Sequence, residues 1–396
     1  MWILWVGVLL CSSSYTMSIP FLPLFLFDLG VEKQTINLWA GAVHSSAFLV
    51  GAFMAPLWGS IADKYGRRKM VIRAGVSLAV IYALFSFVRS PWELIAVRML
   101  HGFVGGFVPA SMSIVASVAP KEKMGWSLGI MQAGVMTGGI LGPLFGGVLS
   151  AWLGQRQSFI AAAIVIFTAT IAVIVWVKDG KPEKNVRRST MREDARMVFR
   201  SKALLNMLFL LLVFQLAFNM IQPLLTLHIA NLQGSVQDAA LSSGLVFALI
   251  GIAGIIAAPF WGKEGQRRGY SIILSICLMA SGVILTMQYF ISGLAPFIAV
   301  QFVFGLFMAG IVPMLNALVL RSTPDDFRGR SFGLTTSANQ LGSMIGPLVG
   351  GGLGLFLHIH WIFVFAGLIM VCAGLAVSRQ SGAGSQVDRQ NSNTVG

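Results

Sequence analysis

The chain has 396 residues, of which 56% are hydrophobic and only 11% charged, with a mean hydropathy of +0.80; soluble domains carry about one quarter charged residues. This excludes a soluble enzyme or binding domain and indicates an integral membrane protein. A formal charge of +14 raises nucleic acid as a partner, but the placement of the cations argues against it.

Taken in order, the uncharged runs are Trp2–Phe27, Leu38–Ala62, Met99–Pro120, Met124–Gln155, Gln157–Val177, Ala203–Gln237, Gly269–Leu320 and Ser331–Ser378, against the roughly 20 apolar residues that span a bilayer as a helix. The first run is too long for a cleaved leader. It is expected to be a retained first helix whose cytoplasmic start is missing or misassigned. The last two runs are each about twice a membrane thickness and must fold back, with turns expected at 291–296 and 357–361. Shorter segments near 71–88, 93–117 and 240–262 complete an expected all-α membrane protein of twelve helices with both termini cytoplasmic.

On that topology 24 of the 28 Lys and Arg fall on the cytoplasmic side, Lys33, Arg89 and Arg156 fall outside, and Arg98 lies within a helix. This is the asymmetry of an inner-membrane protein with positive loops inside. The expected organisation is a bundle over 1–177, a basic cytoplasmic linker over 178–202, a second bundle over 203–378 and a disordered tail over 379–396. The linker is expected as a topology anchor able to meet anionic lipid. Cys11, Cys277 and Cys372 sit in apolar runs without metal-like spacing, so they read as small buried hydrophobes and no metal site is expected. Neither a phosphate-binding glycine loop nor a serine–histidine–acid pattern is present, so the chain reads as neither an enzyme nor an ATPase.

The two bundles repeat one plan. "ILGPLFGG" at 140–147 returns as "MIGPLVGG" at 344–351, so that Gly138, Gly142, Pro143, Gly146 and Gly147 fall on Gly342, Gly346, Pro347, Gly350 and Gly351. "APLWGSIADKYG" at 55–66 lies over "APFWGKEGQRRG" at 258–269. Parallel six-helix repeats place a substrate site near the midplane and permit alternating access. Glycines four residues apart make a stripe on which a neighbouring backbone can pack, while Pro143 bends the helix.

Between the second and third helices, "GSIADKYGRRK" (59–69) resembles the signature of the major facilitator superfamily. "RMLHGFVGG" (98–106) is similar to its fourth-helix signature, and "GGILGPLFGG" (138–147) resembles its antiporter motif in the fifth. Together they resemble the twelve-helix drug/proton antiporter branch, which implies bacterial multidrug efflux. The resemblance implies that Gly59, Asp63, Gly66, Arg67 and Arg68 form a cytoplasmic gate, with Asp63 latching one state. In the second copy Gln266 stands in place of the acid. It also implies that the fifth and eleventh helices lie along the interface between the halves, and that the first and seventh line the cavity.

Arg98 is expensive within a membrane unless it faces a partner or a wet cavity, and its repeat counterpart is neutral Gln301. Gln215, Asn219 and Gln222 share one helix face, and with Tyr15, Gln132, Asn339 and Gln340 they are the cavity candidates. All fourteen acids lie in loops or near helix ends, so proton coupling is expected at Asp28, His44 or His101, with Arg98 or His101 tuning Asp28. The reading is an exporter of small amphipathic compounds by proton antiport, monomeric, multi-pass in the bacterial inner membrane, without a cofactor and driven by the proton gradient. Its expected partners are a small-molecule substrate, protons and lipids, with no nucleic acid. The alternatives are an uptake symporter or facilitator for a sugar or metabolite, and a non-transporting membrane sensor or scaffold.

Overall fold

A computed structural model describes residues 1–18, 22–120, 123–177, 201–323 and 328–393. In chain order its helices are α1 (Trp2–Met17), α2 (Leu22–Asp28), α3 (Ile36–Tyr65), α4 (Arg67–Phe85), α5 (Pro91–Val104), α6 (Phe107–Val118), α7 (Met124–Leu153) and α8 (Gln155–Trp176). Then follow α9 (Lys202–Gln233), α10 (Val236–Arg268), α11 (Tyr270–Met287), a short 3₁₀ turn (Gln288–Phe290), α12 (Leu294–Arg321), α13 (Arg328–Leu353) and α14 (Ile359–Asn393). Among the described residues there is no strand. The two expected fold-back turns fall between α11 and α12 and between α13 and α14.

Nine helical stretches among the described residues are long and apolar enough to cross a bilayer, α5 and α6 together making one; the count is ten if α1 and α2, bent by 46°, form a single span. α4 fails on charge because its first turns hold Arg67, Arg68, Lys69 and Arg73. α13 fails because Gly, Ser, Thr, Asn and Gln dilute its apolar residues.

Local chemistry sets the boundaries. Gly66 and Gly269 both take a positive φ, 101° and 99°, which turns the chain straight from α3 into α4 and from α10 into α11. α5 opens with Pro91, and the Ser90 hydroxyl accepts from Glu93 N at 3.3 Å while a Glu93 carboxylate oxygen accepts from Arg89 N at 2.8 Å. α5 stops at Gly105 because Gly106 adopts a φ of 118° before α6 begins.

Two compact units result, and they do not follow the two sequence halves. One gathers the first-half helices with residues 222–251 and 347–355; the other holds 201–221, 252–346 and the chain from Phe356 onward. In the first, α1 packs along α7, α3 along α5 and α4 along α8. In the second, α11 packs between α12 and α14. The division between these units cuts α9, α10 and α13, and α14 runs from Ile359 to Asn393. Most of the basic linker, 178–200, and the residues beyond 393 lie outside the described residues.

Candidate functional site

The first unit buries a cation. Gly102 faces α3 so closely that a Cβ there would overlap the Ala47 carbonyl, and this contact draws α5 onto α3. Arg98, 2% exposed, therefore reaches back one turn and donates from Nε to the Val43 carbonyl at 3.3 Å. Its Nη1 lies 3.5 Å from His101 Nδ1. A guanidinium can only donate, so Nδ1 accepts and the ring hydrogen sits on Nε2. The His101 ring, 4% exposed, is enclosed by Tyr15, Tyr82 and Phe85 at 5.2, 5.6 and 6.4 Å. Tyr82 donates to the Ser14 carbonyl at 2.6 Å, tying α4 to α1. Among the described residues no carboxylate pairs with Arg98.

Beside this cluster is a narrow cavity of about 10 Å³, close to the room one water needs. Its walls are Leu22, Pro23, Leu26, Ala40, Val43, His44 and Pro223. His44 is 5% exposed and, among the described residues, its Nε2 has no hydrogen-bond partner.

The glycine–proline segments make two kinds of contact. Toward their starts they pack within their own half. A Cβ at Gly138 would come 2.5 Å from the Leu9 carbonyl, and one at Gly142 would overlap Thr16 and the Ser13 carbonyl. Likewise Gly342 and Gly346 press on Leu212 and Leu216 of α9. Toward their ends both segments cross to the other half of the sequence. Gly244 of α10 lies against the Pro143 carbonyl, and a Cβ at Gly147 would meet Ala240 O at 2.8 Å. The repeat places Gly41 of α3 against the Pro347 carbonyl and Gly351 against Asn37 O. These paired contacts lie within the first unit, which is why it takes in 222–251 and 347–355.

The second unit carries an amide cluster. Gln215 donates from Nε2 to Asn339 Oδ1 at 2.7 Å, and Asn219 donates from Nδ2 to Ser343 Oγ at 3.2 Å. Asn219 also bonds Gln215 through its carbonyl at 2.8 Å. Among the described residues the shared-face candidate Gln222 takes no part in this cluster; neither do Gln340 and the exposed Gln132.

The profile of the Major Facilitator Superfamily matches residues 4–271 and 207–387. The chain belongs to the major facilitator superfamily. A multidrug resistance protein, MdtG of Proteus mirabilis (strain HI4320), is 31% identical over 372 residues, 93% of this chain and 92% of the relative. The MdtG of Klebsiella pneumoniae (strain 342) is 30% identical over 395 residues, 98% and 96% of the two chains. The solved nucleoside transporter NupG matches with a TM-score of 0.80 at 13% identity, over 95% of this chain and 98% of that one. An inward-facing, occupied bacterial homolog of the human lysosomal transporter Spinster matches at 0.78 and 13%, over 95% and 96%. These solved structures share the fold. The chain is a multi-pass membrane transporter.

The gate signature of this superfamily member is placed in part. Arg67 donates to the Ser113 carbonyl at 2.8 Å and Arg68 to the Ile174 carbonyl at 2.6 Å, so each cation meets the last turns of another helix, where carbonyl partial charge gathers. Gly59 and the Asp63 side chain lie outside the described residues. In the second copy the acid is displaced rather than lost: Glu264 stands 2.6 Å from Arg268 and 3.8 Å from Arg267.

Asp28 is exposed, and its charged neighbour is Arg156 rather than Arg98. Arg156 is held by a 2.7 Å bond to Ser86 O and lies 5.3 Å from the Phe25 ring. The expected tuning of Asp28 by Arg98 or His101 is therefore not assembled in this state. Sequence reasoning missed Arg73. Its guanidinium lies 3.5 Å from the Trp58 ring centroid and donates to Val104 O at 3.3 Å and Gly105 O at 3.2 Å. The adjacent glycines 105 and 106 were the available signal for carbonyls in need of a cap.

Proposed function

We propose that this transporter exports small amphipathic compounds from the bacterial cytoplasm or inner leaflet by proton antiport, as a monomer in the inner membrane. In this reading twelve helices span the bilayer, with α1–α2 and α5–α6 each forming one bent span and both termini cytoplasmic. The observation that carries the reading is the similarity to multidrug resistance proteins over nearly the whole of both chains.

Mechanistically, the paired contacts of Gly41 with Pro347 and Gly244 with Pro143 are the outer seal, parted when the substrate is released. Glycine is needed at these points because the opposing atoms are backbone and cannot swing aside. Coupling is assigned to titratable groups of the first half, with His101 and His44 beside Arg98 ahead of Asp28. The test is a growth-inhibition panel in a host stripped of its efflux pumps, together with substrate-induced proton movement in inside-out vesicles. Resistance to several unrelated compounds with proton release on substrate addition is expected. Improved growth on a single scarce nutrient would instead establish uptake, and absence of proton movement under an imposed gradient would remove the antiport step.

A further inference from the structure

We infer that Asn37 is a clasp on the outer seal, a positioning residue that makes one of the two repeated Gly–Pro contacts harder to part than the other and so biases the transporter toward its outward-closed state. The inference rests on the reading of those contacts as the seal and adds what holds it shut.

The backbone contacts themselves are matched. Gly41 against the Pro347 carbonyl and Gly351 against Asn37 O repeat as Gly244 against the Pro143 carbonyl and Gly147 against Ala240 O. One side chain distinguishes them. Where α10 has Ala240, α3 has Asn37, and its Nδ2 donates to the Gly354 carbonyl at 3.0 Å. A carbonyl can only accept, which fixes the amide with its NH₂ group toward Gly354. An asparagine in the first turn of a helix usually bonds its own backbone. Here α3 starts after Thr35 without a side-chain cap, and the amide of Asn37 reaches across the seal instead.

The acceptor is prepared by the opposite segment. In α7 the place of Gly354 is taken by Ser150, whose carbonyl accepts from Gly154 N at 3.0 Å while the helix runs on to Leu153. α13 stops at Leu353, one turn earlier in the repeat, so Gly354 O falls in the turn beyond the helix, where carbonyls require an outside donor. A Cβ at Gly354 would stand 2.8 Å from Asn37 Cβ and 3.1 Å from its Cγ, so glycine is what lets the amide come this close. The early helix end, the glycine and the asparagine therefore work as a set, and the other copy has none of the three. All of them belong to the first unit. A single neutral, part-buried bond contributes modestly, which suits a contact that must break in every transport cycle.

The experiment uses the full chain in nanodiscs with spin labels on Lys33→Cys and Gly352→Cys. Lys33 is exposed and nothing lies within 4 Å of a Cβ at Gly352. Exposed Cys372 is replaced by serine, while Cys11 and Cys277 are buried and stay. Double electron–electron resonance then reads the distance between the labels with neither cargo nor a proton gradient present. Asn37→Ala should raise the ratio of outer-open to outer-closed molecules roughly threefold to tenfold. Asn37→Asp keeps the shape but loses the donor, and should raise the ratio at least as far. A shift in both variants is the expected result; a shift in either alone, or in neither, overturns the clasp. Gly41→Leu, which wedges the backbone contact, separates this inference from the reading beneath it. If Gly41→Leu alone shifts the distribution, the seal stands without its clasp. If no variant shifts it, the seal reading falls as well.

Discussion

The α5–α6 stretch of the first half and its repeat, α12, begin from the same packing and end differently. In each, a tryptophan of an earlier helix, α3 or α10, donates to a carbonyl of this stretch: Trp58 to Phe103 O at 2.5 Å and Trp261 to Leu306 O at 2.7 Å. α12 then runs on unbroken to Arg321, whereas the first-half helix breaks at Gly105–Gly106. The break releases carbonyls from the helical ladder, and Arg73 takes up two of them while stacking on Trp58. Its counterpart Ile276 is exposed and apolar, and the continuous helix needs no such cap. A helix break and the cation that satisfies it thus arise together, on different helices, and they sit in the half that also buries Arg98.

The largest effect should come from the part in which the halves agree. Gly41→Leu and Gly244→Leu should each abolish resistance at equal membrane levels, because both side chains would have to enter the backbone of the opposite segment. A variant that retains resistance at one site alone would show that the two seals are not equivalent. Gly142→Ala belongs with this group and is not a mild change, since its Cβ already overlaps Thr16 and the Ser13 carbonyl.

Next is the gate, where the copies place their acids differently. Asp63→Asn is expected to cut efflux of a fluorescent substrate at least tenfold with normal insertion, whereas Glu264→Gln should leave more than half of it. Glu264 pairs locally with Arg268, and such partly solvated pairs contribute little. Equal losses would mean that both copies latch.

Smaller still is the cap. Arg73→Ile, which converts the first half to the second, should lower stability by about 1–2 kcal/mol through the orphaned carbonyls, read as a drop in Tm of the detergent-solubilised protein. Ile276→Arg should leave Tm unchanged. The smallest effect is expected for Gln215→Leu, which strands Asn339 and should cost about 1 kcal/mol with efflux largely kept; a complete loss of efflux would promote the amide cluster from packing to substrate contact.

Much of the fold was legible because a bilayer imposes length and polarity on each span separately. Uncharged runs and the recurrence of the Gly-Pro segment are local signals, and the helices lie along those runs. Arg98 stood out for the same reason, as a charge where charge is costly. The neighbours of the glycine stripe could not be read, since a four-residue spacing says that some backbone approaches closely but not which one. The structure divides the stripe, giving Gly138 and Gly142 to α1 and Gly147 to α10.

By itself, then, the sequence determined a doubled helical membrane transporter with a basic side and a buried cation, because periodicity, span length and charge cost act residue by residue. Tertiary structure alone decided that Asp28 keeps company with Arg156, that Arg73 caps a broken helix, and that the ends of α9, α10 and α13 join the first-half unit. Those outcomes depend on the register of one helix against another. That register is set by where backbones can touch, a property shared by residues far apart in the chain and carried by neither alone.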